Sequence, residues 1–118
     1  MTTKLSHESC AACDATTPRL SDEDVRRLAA FVPAWTVGET ATGERSIQRR
    51  WVVRDFKTAL AFIARIGALA EEENHHPDVH LTGYKHLAVE LSTHAIGGLS
   101  RNDFILAAKI DALGDPST

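Results

Sequence analysis

From His86 to His94 a mainly apolar set of residues alternates with a mainly polar one. Leu87, Val89, Leu91 and Thr93 fall on one side, and His86, Ala88, Glu90, Ser92 and His94 on the other. Successive side chains of a strand point to opposite faces. The segment therefore suits a sheet packed on one side only, and the rest of the chain must supply strands to pair with it and helices to cover its apolar face.

Both are present. A short strand around Val79 to Thr82 precedes it, with Gly83-Tyr84-Lys85 as the turn. Trp35 to Val37, a turn over Gly38 to Gly43, and Ser46 to Val53 read as a second hairpin, in which Ile47, Trp51 and Val53 share a face and Arg49 interrupts it. Ser21-Asp22-Glu23-Asp24 is a capping-box pattern, Ser21 accepting from the N–H three residues on and Asp24 reaching back. Val25, Leu28, Ala29 and Val32 follow at helical spacing, and Pro33 ends the helix. Asp55 caps a longer helix with Phe56, Ala59, Leu60, Ile63, Ile66, Gly67 and Ala70 on one stripe. It stops near Asn74, since Pro77 forbids continuation. Ser100-Arg101-Asn102-Asp103 is a second capping box, opening a helix with Phe104, Ile105, Ala108 and Leu113 apolar and with Gly114 and Pro116 at its close. The order helix, strand, strand, helix, strand, strand, helix predicts an α+β fold: a four-stranded antiparallel sheet with three helices on one face.

A chain of 118 residues suits one domain, divided here into a polar tail over 1–19, a domain over 20–114 and a short tail over 115–118. A domain this small buries surface poorly, so a homodimer or homotetramer is expected. Phe62 and Leu69, outside the helical stripe, and the edge of the last strand are its candidate contacts. A net charge of −3 gives no basic footprint for nucleic acid, and the cluster Arg45, Arg49, Arg50 and Arg54 reads as a solvated face. No apolar run approaches the ~18 residues a membrane span needs, and the polar N-terminus has no signal-peptide core. The expectation is a cytoplasmic protein without nucleic-acid or membrane partners. Cys10 and Cys13, with His7, offer three ligands where structural zinc wants four, so the segment reads as a tail and no metal is expected.

Six histidines remain to be placed: His7, His75, His76, His80, His86 and His94. An imidazole exchanges protons near neutrality, which suits acid/base catalysis. A metal site and a purely structural use are the competing readings. His-His-Pro lacks the i, i+4 pair of a metalloprotease helix, and Glu71, Glu72 and Glu73 read as a solvated helix end.

A larger pattern decides between them. Glu71-Glu72-Glu73-Asn74-His75-His76-Pro77, followed by Tyr84, by Leu91-Ser92-Thr93-His94, by Gly98-Leu99-Ser100 and by Asp103, resembles the signature of the pterin-4a-carbinolamine dehydratases. Asp55-Phe56 and Phe62 extend the likeness, which covers about residues 20–112. The resemblance implies a small-molecule pterin substrate, no cofactor, and loss of water from the 4a-hydroxytetrahydropterin that aromatic amino acid hydroxylases release, giving quinonoid dihydropterin. It implies His75, His76 and His94 as catalytic residues, with His76 taking the largest share of the proton transfer, and Glu71, Asn74, Pro77, Ser92 and Thr93 as substrate-binding residues. Glu71 would orient a histidine or a pterin nitrogen, and the backbone of Ser92 and Thr93 would meet the pyrimidinone edge. Asp103 is read as a helix cap. Other readings are a catalytically silent assembly or coactivator module, and a pterin-handling protein of molybdopterin-related metabolism. The chain departs from many relatives at Asn74, where they have Asp supporting the first histidine. It departs again at Asn102, where they have Arg, and in a loop after Pro77 one residue longer than in the animal enzymes.

Overall fold

The computed structural model describes residues 5–11 and 16–116. Its elements follow the expected order: α1 (Asp22–Ala29), β1 (Thr36–Glu39), β2 (Arg45–Val52), α2 (Phe56–Glu73), β3 (Asp78–Thr82), β4 (His86–Leu91) and α3 (Arg101–Asp111), with 3-10 turns at Leu5–His7 and His94–Ile96. The fold is the α+β arrangement read from the sequence, with one antiparallel sheet in the order β1-β2-β4-β3. Among the described residues no helix is long and apolar enough to cross a membrane.

The alternation in β4 sets the core. Leu87, Val89 and Leu91 are essentially inaccessible and face Ile47 and Trp51 of β2 across the register Ile47↔Leu91 and Trp51↔Leu87. Phe62 and Ile66 of α2 and Phe104, Leu106 and Ile110 of α3 complete the same cluster. Each such side chain contributes roughly 1.5–3 kcal/mol by leaving water. Trp51 packs edge-on against both Trp35 and Phe62. Arg49, the interruption in the β2 face, lies over the Trp51 ring and pairs with Asp111. Its charge is thereby partnered beside the core rather than lost in it.

Three expectations are corrected. The last strand has no free edge, because β4 lies between β2 and β3; the sheet edges are β1 and β3. Phe62 is not a surface contact but a core residue, 3% exposed, while Phe56 and Leu60 of the expected stripe are about half exposed at 50% and 47%. At the start of α1, Ser21 accepts the Asp24 N–H at 3.1 Å, and the Asp24 carboxylate, which pairs chiefly with Arg27, also interacts with Ser21. Finally, residues 5–11 do not behave as a tail. Leu5 is buried in the main cluster, the Lys109 ammonium donates to the Ser6 carbonyl at 3.0 Å, and Arg101 forks onto the Glu8 carboxylate at 2.8 and 2.7 Å. That guanidinium holds the Glu8 carboxyl below its ordinary range. One apolar anchor in a polar stretch is too little for composition to reveal.

Candidate active site

The site begins where α2 stops. Asn74 adopts a left-handed conformation, φ 52 and ψ 41, with its N–H bonded back to the carbonyls of Ala70 and Glu71. Few residues other than glycine accept this conformation, and asparagine is one of them. The reversal carries His75 and His76 off the helix end, and the His75 N–H still returns to the Ala70 carbonyl at 3.2 Å.

A second wall comes from the end of β4. The ladder stops at Leu91, and Thr93 pairs with Gly98 in an isolated bridge around the turn that begins at His94. The first turn of α3 closes the group. Asp103, fully buried, receives the His75 Nε2 at 2.7 Å on one oxygen. Its other oxygen accepts from the Thr93 hydroxyl at 2.8 Å and from the Ser100 N–H at 3.0 Å. The capping box expected at Ser100 is present, and its carboxylate has a second task that the sequence did not show.

The result is a cavity of about 280 Å³. His75, His76 and His94 all line it, with Asn74, Ser92 and Thr93, and so do Ala11, Ala95 and Asn102. Pro77 and Glu71 do not line it. Glu71 reaches it indirectly, bonded through Oε2 to His76 Nε2, both side chains being mostly exposed. The Thr93 backbone is already engaged: its N–H donates to Gly98 at 2.8 Å and its carbonyl receives Ile96 and Gly98. The Ser92 hydroxyl donates inward to the Arg45 carbonyl at 2.9 Å. These two residues support the wall with their side chains. The carboxylate on the first histidine comes from Asp103, so Asn74 in place of an acid leaves that support intact.

His80 and His86 stand on the exposed face of the sheet. There, with Arg50, Gln48 and Glu90, they line a separate hollow of about 520 Å³. That hollow is larger, but Glu90 is occupied by the Ser46 hydroxyl and the Gln48 amide, and none of the three clustered histidines reaches it. His7 is exposed in the N-terminal turn. Among the described residues no three His, Cys, Asp or Glu side chains are placed to hold a metal ion. Burial, reinforced by the Glu73 carboxylate, pushes the Cys10 thiol up to about 12, unlike a thiolate ligand or redox nucleophile. Cys13 lies outside the described residues.

Carboxylates fix what the rings can do. A carboxylate only accepts, so a proton shared with Asp103 sits on Nε2 of His75, leaving Nδ1 as the nitrogen that can gain or lose a proton. The same logic applies to His76 and Glu71. A carboxylate behind an imidazole sets its tautomer and orientation. The cavity thus holds two oriented imidazoles and a third on the opposite strand end.

Fold and site together define a small α+β protein with a histidine-lined cavity. The model of the pterin 4 alpha carbinolamine dehydratase family matches residues 18–113, and the chain belongs to that family. It is 41% identical over 109 residues to a Gloeobacter violaceus protein provisionally named pterin-4-alpha-carbinolamine dehydratase 1, covering 92% of both chains. It is 40% identical over 110 residues to the mitochondrial pterin-4-alpha-carbinolamine dehydratase 2 of Arabidopsis thaliana, covering 92% of this chain and 58% of that protein. Among solved structures, a transcriptional coactivator/pterin dehydratase from Brucella melitensis superposes with a TM-score of 0.71 at 28% identity, covering 81% of this chain and 98% of the other. A pterin dehydratase-like RuBisCO assembly factor of the alpha-carboxysome shares the fold, with a TM-score of 0.57 at 23% identity over 70% of this chain and 92% of that one.

Proposed function

We propose that this protein dehydrates 4a-hydroxytetrahydropterin to quinonoid dihydropterin and water, using its histidines as acid and base. The observation that carries the reading is the convergence of His75, His76 and His94 on one cavity, with a carboxylate behind each of the first two.

The hydroxyl on C4a leaves readily only as water, and N5 must give up its proton as the N5=C4a bond forms. In the proposed step, His76 in its imidazolium form donates from Nδ1 to the departing hydroxyl, while Glu71 faces the positive ring. The C4a–O bond breaks, and the N5–H electron pair becomes the new C=N bond. His75 takes the N5 proton on Nδ1, its Nε2–H remaining on Asp103. One proton has left His76 and one has arrived at His75, so exchange with solvent restores both. His94 holds the pterin from the other wall, and Asn74, Ser92 and Thr93 shape the floor. Positioned acid/base groups of this kind contribute typically 10²–10⁴-fold. The reaction would follow an aromatic amino acid hydroxylase, the class of enzyme that produces the substrate. A homo-oligomer is part of the reading, supported by the exposed apolar Val52, Phe56 and Leu60.

The test is to generate the 4a-hydroxy adduct with a hydroxylase and follow its decay. The wild-type chain is expected to accelerate decay at catalytic concentrations, and His75→Ala and His76→Ala each to remove about 10²-fold or more of that acceleration. A His76→Ala variant of near-full rate beside crippled His75→Ala and His94→Ala would refute the assignment of His76. A wild-type chain that leaves the decay unchanged would refute the whole reading, in favour of an assembly role such as that named for one structural neighbour.

A further inference from the structure

One wall of the cavity is made by neither the histidine loop nor the strand end, and it lies outside the family-matched region. Ala11 borders the cavity beside Asn102, whereas the family model begins at residue 18. The Asn102 side chain is 5% exposed and meets Ala11 with both ends of its amide. Its Oδ1 accepts the Ala11 N–H at 2.9 Å, and its Nδ2 donates to the Ala11 carbonyl at 2.6 Å. Such a two-point clasp reproduces what a neighbouring strand would offer a backbone.

The clasp is reinforced along the segment. The Cys10 N–H donates to Glu73 Oε1 at 2.8 Å, and the Cys10 thiol lies 3.6 Å from the Asn102 carbonyl. Glu8 is forked by Arg101, and Leu5 is buried. The anchors come from the end of α2 and the face of α3. Asn102 and Asp103 are consecutive, so one helical turn holds His75 on one side of the cavity and Ala11 on another.

We propose that Asn102 is a positioning residue that fastens the Cys10–Ala11 backbone as a wall of the pterin cavity, and that this wall determines how tightly substrate is held rather than how fast protons move. The inference rests on the dehydratase reading above. It also gives a physical meaning to the departure at position 102. An arginine there would have donors only and no acceptor for the Ala11 N–H, and could not form this clasp. The wall touches neither carboxylate–histidine pair, so its loss leaves the reacting groups in place. What it supplies is enclosure of one edge of the ligand, an interaction equal in ground and transition states, whose signature is a change in KM at constant kcat.

The experiment uses two variants that break the clasp from opposite sides. Asn102→Ala removes the amide. Ala11→Pro removes the donated N–H at an exposed residue outside the core, so it remains informative if Asn102→Ala folds poorly. Both are assayed on the 4a-hydroxy adduct of 6-methyltetrahydropterin, with direct binding of 7,8-dihydrobiopterin as a second readout. Each single variant should raise KM about tenfold, the scale of one or two net hydrogen bonds, with kcat within about twofold. The double variant should match the singles, because both remove one shared interaction. Wild-type turnover with KM unchanged in both variants overturns the wall assignment alone, as does a fall in kcat at constant KM. A wild-type chain that neither turns over the adduct nor binds dihydrobiopterin overturns the functional reading and this inference with it.

Discussion

Asp103 shows how much one buried side chain can carry. It closes the α3 capping box, receives Thr93, and fixes His75. Removing it leaves several buried polar groups without a partner, each costing about 1–3 kcal/mol. Asp103→Ala should therefore lower the unfolding free energy by about 3 kcal/mol or more, measurable by urea denaturation. Asp103→Asn keeps the volume but must turn an NH₂ toward either His75 or the Thr93 and Ser100 donors. It should fold and lose on the order of 10-fold or more in kcat, as is usual when a group orienting a reactive imidazole is changed. A kcat within twofold of wild type would show that His75 does not depend on this carboxylate. The three histidines could be found from the sequence because their chemistry is distinctive and their spacing matches a known signature. Asp103 was visible only as a cap, because the capping pattern explained it completely. Nothing local signals that the same oxygens reach a residue 28 positions away.

At the scale of elements, the sequence predicted the three α-helices and four strands because each carries its own stop and start, although β1 runs on to Glu39, into the expected turn. The Asp55 cap is typical: its carboxylate accepts the Thr58 N–H at 2.8 Å, and the Thr58 hydroxyl together with that N–H holds the carboxyl below its ordinary value. Asp24 is lowered likewise, chiefly by Arg27. A depressed folded value means that the contribution is complete above the ordinary carboxylate range, about pH 4, and is lost as pH falls through the lowered values. These two helix starts should thus add no slope to stability between pH 6 and 8 and a falling one below about pH 4. Replacing both by Asn should flatten that acid limb in thermal melts. The β3–β4 turn holds a different lesson. Tyr84 sits at φ 58, a left-handed conformation, with its side chain 56% exposed. Such a conformation costs an ordinary residue roughly 1–2 kcal/mol. Tyr84→Asn should raise the melting temperature, and a lowered one would mean that the ring contributes packing which offsets the strain. The face of α2 was the element feature least legible beforehand. With apolar residues on more than one side, its periodicity does not choose between Phe56 and Leu60 and the buried Phe62.

Across the whole molecule, the information missing from the sequence is which distant pieces meet. Local patterns fix the hairpins β1–β2 and β3–β4, but the pairing of β2 with β4, which buries the last strand in the middle of the sheet, joins residues about forty positions apart. The N-terminal segment is the extreme case, since Leu5 and Glu8 pack against α3, near the other end of the chain. Although Leu5 joins the main cluster, one buried side chain and a few polar contacts hold the segment, so it should open before the rest unfolds. Segments with few buried apolar contacts open at a fraction of the global unfolding free energy. Leu5→Ala removes the apolar anchor, a change worth about 2–5 kcal/mol in a fully packed core. Here most of that loss should appear as opening of residues 5–11, with the main melting transition shifted little. Cys10 reports on it directly. Burial and Glu73 push its thiol up to about 12 while the segment is docked. In a Cys13→Ser background it should resist iodoacetamide at pH 8 in the otherwise wild-type chain, and react at a rate approaching that of a free thiol in Leu5→Ala. Equal slow labelling in both would show that the segment is held by its polar contacts alone. Equal fast labelling would show that it is not docked in solution.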